Sequence, residues 1–268
     1  MKKLKAIIFD MDGTLADTEE IHRQSFNTAF SEFGIDCHWD QHEYKQLLAI
    51  SGGRERLTQY LQIHTHLGVR PEALTEIVDK LHKRKSAIYR QNLINGHVGL
   101  RPGVRRLIDD AKSQGVNLAI ATSSSSRNVD TLLKVVLGEN ALDLFSAIVT
   151  SDEVDEKKPS PAVYLYALET LGLEAENCVA LEDSCNGNLA ALTAGLRTIV
   201  TTHFFTADDD FSGASLIVNH LGDPGNLPIM TPATVFGQQY VDVSLLERIL
   251  DQEPVIIQPV KTETIIVV

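Results

Sequence analysis

The chain has 268 residues, 43% of them hydrophobic and 22% charged, and its net charge is −12. That length allows a sizeable core and one or two domains, and the composition is that of an ordinary globular protein. The acidity, 24 basic against 36 acidic residues, argues against a nucleic-acid partner or an anionic membrane surface, and the longest apolar run, Ala162 to Leu168, is far too short to span a bilayer.

The N-terminal segment Met1–Lys5 is basic, but the apolar stretch Ala6–Phe9 is broken at once by Asp10 and Asp12. A signal peptide needs about seven or more apolar residues there, so a cytoplasmic location is expected. Three scattered cysteines, Cys37, Cys178 and Cys185, suit a reducing compartment and give no disulfide framework.

Short apolar runs alternate with helical patterns along the chain. The strand candidates are Ala6–Phe9, Leu118–Ala121, Ala147–Val149, Val179–Leu181, Thr198–Val200 and Leu216–Val218. Continuous apolar character is what a parallel sheet covered on both faces requires. Between them, Val104, Leu107, Ile108 and Ala111 make one helical stripe, with Pro102 near its start and Gly115 beyond its end. Val129, Leu132, Leu133 and Val136 make the next, stopped near Gly138, and Pro161 opens a third that ends before Gly172. This rhythm predicts an α/β fold, a doubly wound Rossmann-like parallel sheet.

One segment breaks the rhythm. Between the first strand and Pro102 the pattern is only helical, with Ile21, Phe26, Ala29, Phe30 and Phe33 on one face and Leu74, Ile77, Val78, Leu81 and Ile88 on another. The expected organisation is a core domain of residues 1–17 and 94–223, an inserted helical domain of residues 18–93, and a tail of residues 224–268 without an assigned role. Hinges are expected near Thr14–Thr18 and Leu93–Arg101. In the tail, Val243–Leu250 is a helical candidate and Thr264–Val268 a β-prone run.

Four polar constellations follow the apolar strands. Asp10 and Asp12 stand two residues apart where the first strand ends, so both can face one site at its carboxyl end; oxygen ligands of this kind suit Mg²⁺. Taken alone the pair also fits a polar loop. Thr122–Ser126 offers hydroxyls and free amides before a helix, a phosphate cradle or a serine turn. Lys157-Lys158-Pro159 offers a lysine for a phosphate or for crowded carboxylates, or a solvated basic pair. Glu182-Asp183 offers the distant half of a metal site, or a helix cap at Asp183.

Their order and placement resemble the haloacid dehalogenase superfamily of aspartate-nucleophile hydrolases. Asp10-x-Asp12-Gly13-Thr14-Leu15 is similar to its first motif, Thr122 to its second, Lys158-Pro159 to its third and Glu182-Asp183 to its fourth, and the helical insert resembles its small cap domain. Trp39, Tyr44, Ser51-Gly52-Gly53-Arg54-Glu55-Arg56, Lys83–Tyr89 and Leu221–Pro224 resemble the CbbY-like branch. The resemblance implies a phosphatase for xylulose 1,5-bisphosphate, a misfire product that inhibits Rubisco. One departure is Ala162, where relatives often carry aspartate, a change expected to touch a helix cap rather than the chemistry.

The resemblance further implies that Asp10 attacks phosphorus and forms an aspartyl-phosphate, and that Asp12 protonates the leaving alkoxide and then activates water. Mg²⁺ would be held by Asp10, the backbone carbonyl of Asp12, and Asp183, with Glu182 as ligand or support. Thr122, Ser123 and Lys158 would hold the phosphoryl oxygens. Arg54, Arg56 and Lys85 are candidates for a distal phosphate, Arg54 favoured by the flexible Gly52-Gly53 beside it, and Asp17, Glu19 and His22 are candidates for the sugar hydroxyls. The partner is thus a small sugar phosphate; the sequence sets no oligomeric state and is compatible with a monomer.

A β-phosphoglucomutase-type mutase would share fold, metal and Asp10, but Ile50–Arg54 lacks the lysine such mutases share. A ligand-binding regulator on the same fold predicts loss of a motif, and all four are present. His38 and His42 have helical zinc-ligand spacing without further ligands, and Ser184 lies outside any Gly-x-Ser-x-Gly pattern.

Overall fold

The computed structural model describes residues 3–64, 70–96, 98–231 and 238–252. Six parallel strands run β1 (Ala6–Phe9), β2 (Asn117–Ala121), β3 (Ala147–Val149), β4 (Cys178–Glu182), β5 (Arg197–Thr201) and β6 (Leu216–Val218). All six expected strands are present, β4 and β5 longer by one residue at each end and β2 by one at its start. A short antiparallel strand, β7 (Met230–Thr231), closes one edge, giving the order β3-β2-β1-β4-β5-β6-β7.

Alternation along β1 feeds two layers. Ile7 and Phe9 face α5 (Val104–Ser113) and α6 (Ser126–Leu137). Ala6 and Ile8 face α7 (Ala162–Leu171) and α8 (Cys185–Thr193). Both faces of β1 are therefore buried, which is why the run carries no polar residue.

The tail contributes to the first layer. α9 (Val243–Leu250) is capped by Asp242, whose side chain accepts from Leu245 N–H at 2.8 Å, and it buries Val243, Leu245, Leu246, Ile249 and Leu250 in the same core as Ile7. Arg106 fastens the approach to it, donating to the carbonyls of Gly222 and Val241. The run Thr264–Val268 lies outside the described residues.

The insert forms α1 (Glu19–Glu32), α2 (Gln41–Leu47), α3 (Gly53–Ile63) and α4 (Leu74–Ile94). These pack around an aromatic cluster in which Trp39 lies 4.8 Å from Phe26, 4.8 Å from Phe30 and 5.1 Å from Tyr60, centroid to centroid. Such offset and edge-on pairs add to the stabilisation from burial itself. Phe33 departs from the expected stripe and is 40% exposed, because α1 ends at Glu32 and Phe33 is its C-cap. Among the described residues no helix is long and apolar enough to cross a membrane.

Because Leu246 is fully buried in the main core, Leu246→Ala is expected to lower the free energy of unfolding by about 2–5 kcal/mol, read from equilibrium urea denaturation.

Candidate active site

The sheet register assembles the site. In β1 and β4, Phe9 stands opposite Leu181, and Asp10 N–H donates to Leu181 O at 2.8 Å. The next residues, Asp10 on one strand and Glu182 and Asp183 on the other, therefore emerge side by side. One oxygen from each of these three buried carboxylates lies within 4.8 Å of the others. Lys158, from the loop between β3 and α7, reaches in with Nζ 2.6 Å from Asp10 Oδ1, 2.6 Å from Glu182 Oε1 and 3.0 Å from Ala121 O.

One ammonium against three carboxylates leaves the cluster short of positive charge. Burial raises the Asp10 carboxyl well above its ordinary range; Lys158 pulls it down, and the Glu182 and Asp183 charges push it up again. Glu182 is raised in the same sense, by burial and by Asp183. Burial works against the Lys158 ammonium too, but Asp10 and Glu182 outweigh it and keep it firmly protonated. Oxygen donors crowded in this way fit a hard divalent cation.

Glu182 has no freedom to leave. It is fully buried, accepts from Tyr164 OH as well as from Lys158, and leaves no space beside Gly187, where an added Cβ would lie 1.9 Å from Glu182 Oε2. The cap of α8 falls to Ser184, which accepts from Gly187 N–H at 3.1 Å, so Asp183 is free of that duty. Asp183 instead accepts from Thr14 Oγ1 at 3.2 Å and from His203 Nε2 at 2.8 Å.

Asp12 turns its carboxylate away from the acidic cluster, so any part it has in holding a metal falls to its backbone carbonyl. Its Oδ1 accepts from Thr18 Oγ1 at 2.7 Å and Tyr89 OH at 3.1 Å and lies 3.0 Å from His22 Nε2, while Oδ2 accepts from Ser124 Oγ. Burial alone would raise its pKa. The His22 charge and the bonds from His22, Ser124 and Thr18 prevail and hold it well below the usual carboxylate range.

A cavity of about 850 Å³ opens over these residues. Thr122 and Ser123 line it from the loop after β2, and Glu19, His22, Arg56 and Lys85 line it from the helical insert. Glu19 accepts from Tyr44 OH at 3.0 Å. Lys85 is buried, with Nζ 2.6 Å from His22 Nδ1 and 4.4 Å from the centre of the Phe26 ring. Its pKa is pushed down to about 7, by burial first and then by the Arg56 charge. Arg56 is buried as well and donates to Leu47 O, Ile50 O and Tyr44 OH, so it shapes the loop before α3.

Two expected residues are not brought together with the rest. Arg54 sits on the exposed side of α3, with Nε 2.7 Å from Asp79 Oδ1. Arg56, two residues further along the helix, is what the helical turn carries into the cavity. Asp17 is exposed and absent from the cavity wall, since the loop from Thr14 turns Thr18 inward in its place.

The chain matches the model of the family described as haloacid dehalogenase-like hydrolase over residues 7–201. The chain belongs to that family. This hydrolase is 47% identical over 221 residues to the plasmid-encoded CbbY protein of Cupriavidus necator, covering 82% of this chain and 87% of the relative. Its fold superposes on a crystal structure of a CbbY variant from Rhodobacter sphaeroides in complex with xylulose 1,5-bisphosphate, with a TM-score of 0.76, 41% identity, and coverage of 81% of this chain and 94% of that one. It is also 31% identical to the phosphorylated carbohydrates phosphatase of Thermotoga maritima, over 73% of this chain and 84% of the relative. Within the haloacid dehalogenase-like hydrolases the protein thus groups with the CbbY-like branch.

Several residues of the hydrolase's site escape sequence reasoning. Ser124 rather than Ser123 bonds Asp12, a distinction that a run of four serines cannot express. Tyr164 and His203 stand in no motif; only their contacts with Glu182 and Asp183 reveal them. His82 lines the cavity from α4 and is pushed down to about 4, by burial first and then by the charges of Lys85 and Lys157, so it faces the cavity as a neutral ring. The departure at Ala162 is a matter of capping: its N–H donates to Ser160 Oγ at 3.3 Å.

Alanine is the better helix former at an interior helical position, yet Gly187→Ala is expected to destabilise the protein by about 1–3 kcal/mol through overpacking against Glu182. A thermal midpoint at or above that of the unaltered protein would contradict the pinned carboxylate.

Proposed function

We propose that the protein is a phosphatase that hydrolyses a sugar phosphate, xylulose 1,5-bisphosphate, by way of an aspartyl-phosphate on Asp10, with Mg²⁺ as its cofactor. The observation that carries this reading is the buried cluster of Asp10, Lys158, Glu182 and Asp183, of which Asp10, Lys158 and Asp183 line a cavity also lined by Arg56 and Lys85. The relatives support it: one CbbY structure holds xylulose 1,5-bisphosphate, and the Thermotoga maritima relative is named for phosphorylated carbohydrates.

The chemistry assigned to each side chain follows from its surroundings. Asp10 sits at the end of a rigid strand, and a carboxylate oxygen there attacks phosphorus as the ester P–O bond breaks. The leaving alkoxide takes a proton from Asp12. Water then attacks the acyl phosphate, and Asp12 takes its proton as phosphate departs. The donors around Asp12 favour its ionised form, which is the form the second step needs; in the first step it must take up a proton as the substrate displaces some of them. Thr122 and Ser123 hold phosphoryl oxygens from the β2 loop. Lys158 balances the charge of the nucleophile and of the transferring group.

Asp10 and Asp183, with the backbone carbonyl of Asp12, would hold Mg²⁺, and Glu182 would support them through Lys158. When bound, the ion supplies positive charge that lets an anionic carboxylate meet an anionic phosphoryl group.

Residues 18–93 act in this reading as a cap over a core of residues 1–17 and 94–223, swinging on the segments Thr14–Thr18 and Leu93–Arg101. Their part is selection. A cavity of this size suits a five-carbon bisphosphate, with Glu19 and His22 toward the sugar and Arg56 and Lys85 toward the second phosphate.

A panel of sugar phosphates with and without Mg²⁺ tests the reaction: phosphate release supports it, an isomerised product points to a mutase, and neither points to a binding role. Asp10→Asn is expected to abolish turnover and any acid-labile phosphoenzyme; near-normal activity in that variant would falsify the mechanism. Lys85 carries its charge below a pH of about 7 and loses it above. The KM for the bisphosphate is therefore expected to rise as pH increases through that value in the free enzyme. Lys85→Met is expected to raise KM about 10-fold or more, as for loss of a charged hydrogen bond, and to flatten the profile; initial-rate kinetics across the pH range check both.

A further inference from the structure

The loop that follows β5 has no part in the proposed chemistry, yet it reaches the acidic cluster. His203 stands two residues beyond the end of β5, with its side chain 9% exposed. Its Nε2 lies 2.8 Å from Asp183 Oδ2, and its Nδ1 accepts from Phe205 N–H at 3.3 Å. A ring nitrogen that accepts carries no proton. In the neutral ring the proton is therefore on Nε2, and His203 donates to Asp183.

The other oxygen of Asp183 accepts from Thr14 Oγ1 at 3.2 Å. Two loops, one after β1 and one after β5, thus grip one carboxylate from both sides. Gly13, at φ +85°, makes room for the grip: a Cβ there would lie 2.3 Å from Asp183 Oδ2 and 2.8 Å from His203 Nε2.

The same loop continues into the helical insert. Phe205 is buried in the aromatic cluster of α1–α4, with its ring centroid 5.7 Å from that of Tyr44, and Asp208 pairs with Lys45 at 2.6 Å. The amide that fixes the imidazole therefore belongs to the residue seated in the helices.

We propose that His203 is a positioning residue for Asp183 as a cation ligand, and that the seat of Phe205 among α1–α4 holds the imidazole in the orientation this task requires. The proposal rests on the reading of Asp10, Glu182 and Asp183 as a divalent-cation site. His203 touches no substrate and transfers no proton. It fixes the plane of the Asp183 carboxylate, and partners of this kind commonly govern metal affinity about 10- to 100-fold.

The test is binding of Mn²⁺ alone to the full chain, followed by the electron paramagnetic resonance signal of the free ion, with circular dichroism to confirm that each variant is folded. The unaltered protein is expected to bind Mn²⁺ and Asp183→Asn to lose it. His203→Ala should weaken binding about 10- to 100-fold, and His203→Gln, which keeps an N–H donor, should recover most of the loss. Phe205→Ala should also weaken binding, although it removes no group that touches the carboxylate. Affinities within about twofold of the unaltered protein in both His203→Ala and Phe205→Ala, against the range expected for such partners, overturn the proposal. If His203→Ala does not fold, unchanged affinity in Phe205→Ala alone overturns it. If the unaltered protein binds no Mn²⁺, or Asp183→Asn binds it as well, the cation reading itself fails and the proposal falls with it.

Discussion

Three carboxylates crowd together at the carboxyl edge of the sheet around one buried lysine that pairs with two of them, and much of the structure exists to keep them there. Like charges in a medium of low dielectric repel strongly, and burial adds its own cost to each. Lys158 relieves part of this through Asp10 and Glu182. The remainder is contained by geometry: parallel strands in fixed register, Tyr164 and the absent side chain of Gly187 around Glu182, Thr14 and His203 around Asp183. Containing an unbalanced charge in this way suits the proposed reaction, in which the site would receive positive charge from a cation and lose negative charge as Asp10 bonds to phosphorus.

Asp12 belongs to a different environment two residues away. Its partners Thr18, His22 and Tyr89 come from the start of the helical insert and from α4, and Ser124 from the core. In the proposed reaction, a group set between core and insert would change its protonation when a ligand displaces a donor. Asp10 has no such freedom. The two aspartates of one short motif thus differ in surroundings because one is held by the sheet and the other chiefly by the insert. Charge is divided the same way: residues 18–95 carry 10 basic and 10 acidic residues, while the remaining residues, 14 basic and 26 acidic, hold the whole excess. The neutral side, with Arg56 and Lys85 buried in its wall, is the one that can accept an anionic ligand.

The fold was largely legible because burial on two faces leaves an unmistakable pattern. Each of the six apolar runs became a strand, and the stripe of Val104, Leu107, Ile108 and Ala111 became the buried face of α5. Legibility failed where local geometry changes within one turn. Phe33 fits the periodicity of α1 but falls on its cap. Arg54 and Arg56 are two residues apart on a helix, so they cannot share a face; periodicity says that only one enters the cavity without saying which. The flexible glycines beside Arg54 were a poor guide, because Gly52 makes room for Glu55 and Lys157.

The sequence by itself determined the six core strands, their parallel arrangement, and the four strand-end motifs that make Asp10, Thr122, Lys158 and Glu182-Asp183 neighbours once a sheet forms. Those depend on short-range periodicity and on the rule that open α/β sheets bind at the carboxyl ends of their strands. Only the tertiary structure decided which groups complete the site. Tyr164, His203 and Tyr89 are distant in the chain from the carboxylates they serve, and α9 reaches the main core from beyond the expected end of the domain. Contacts of that separation are set by how layers pack, and packing leaves no periodic mark on the residues that make it.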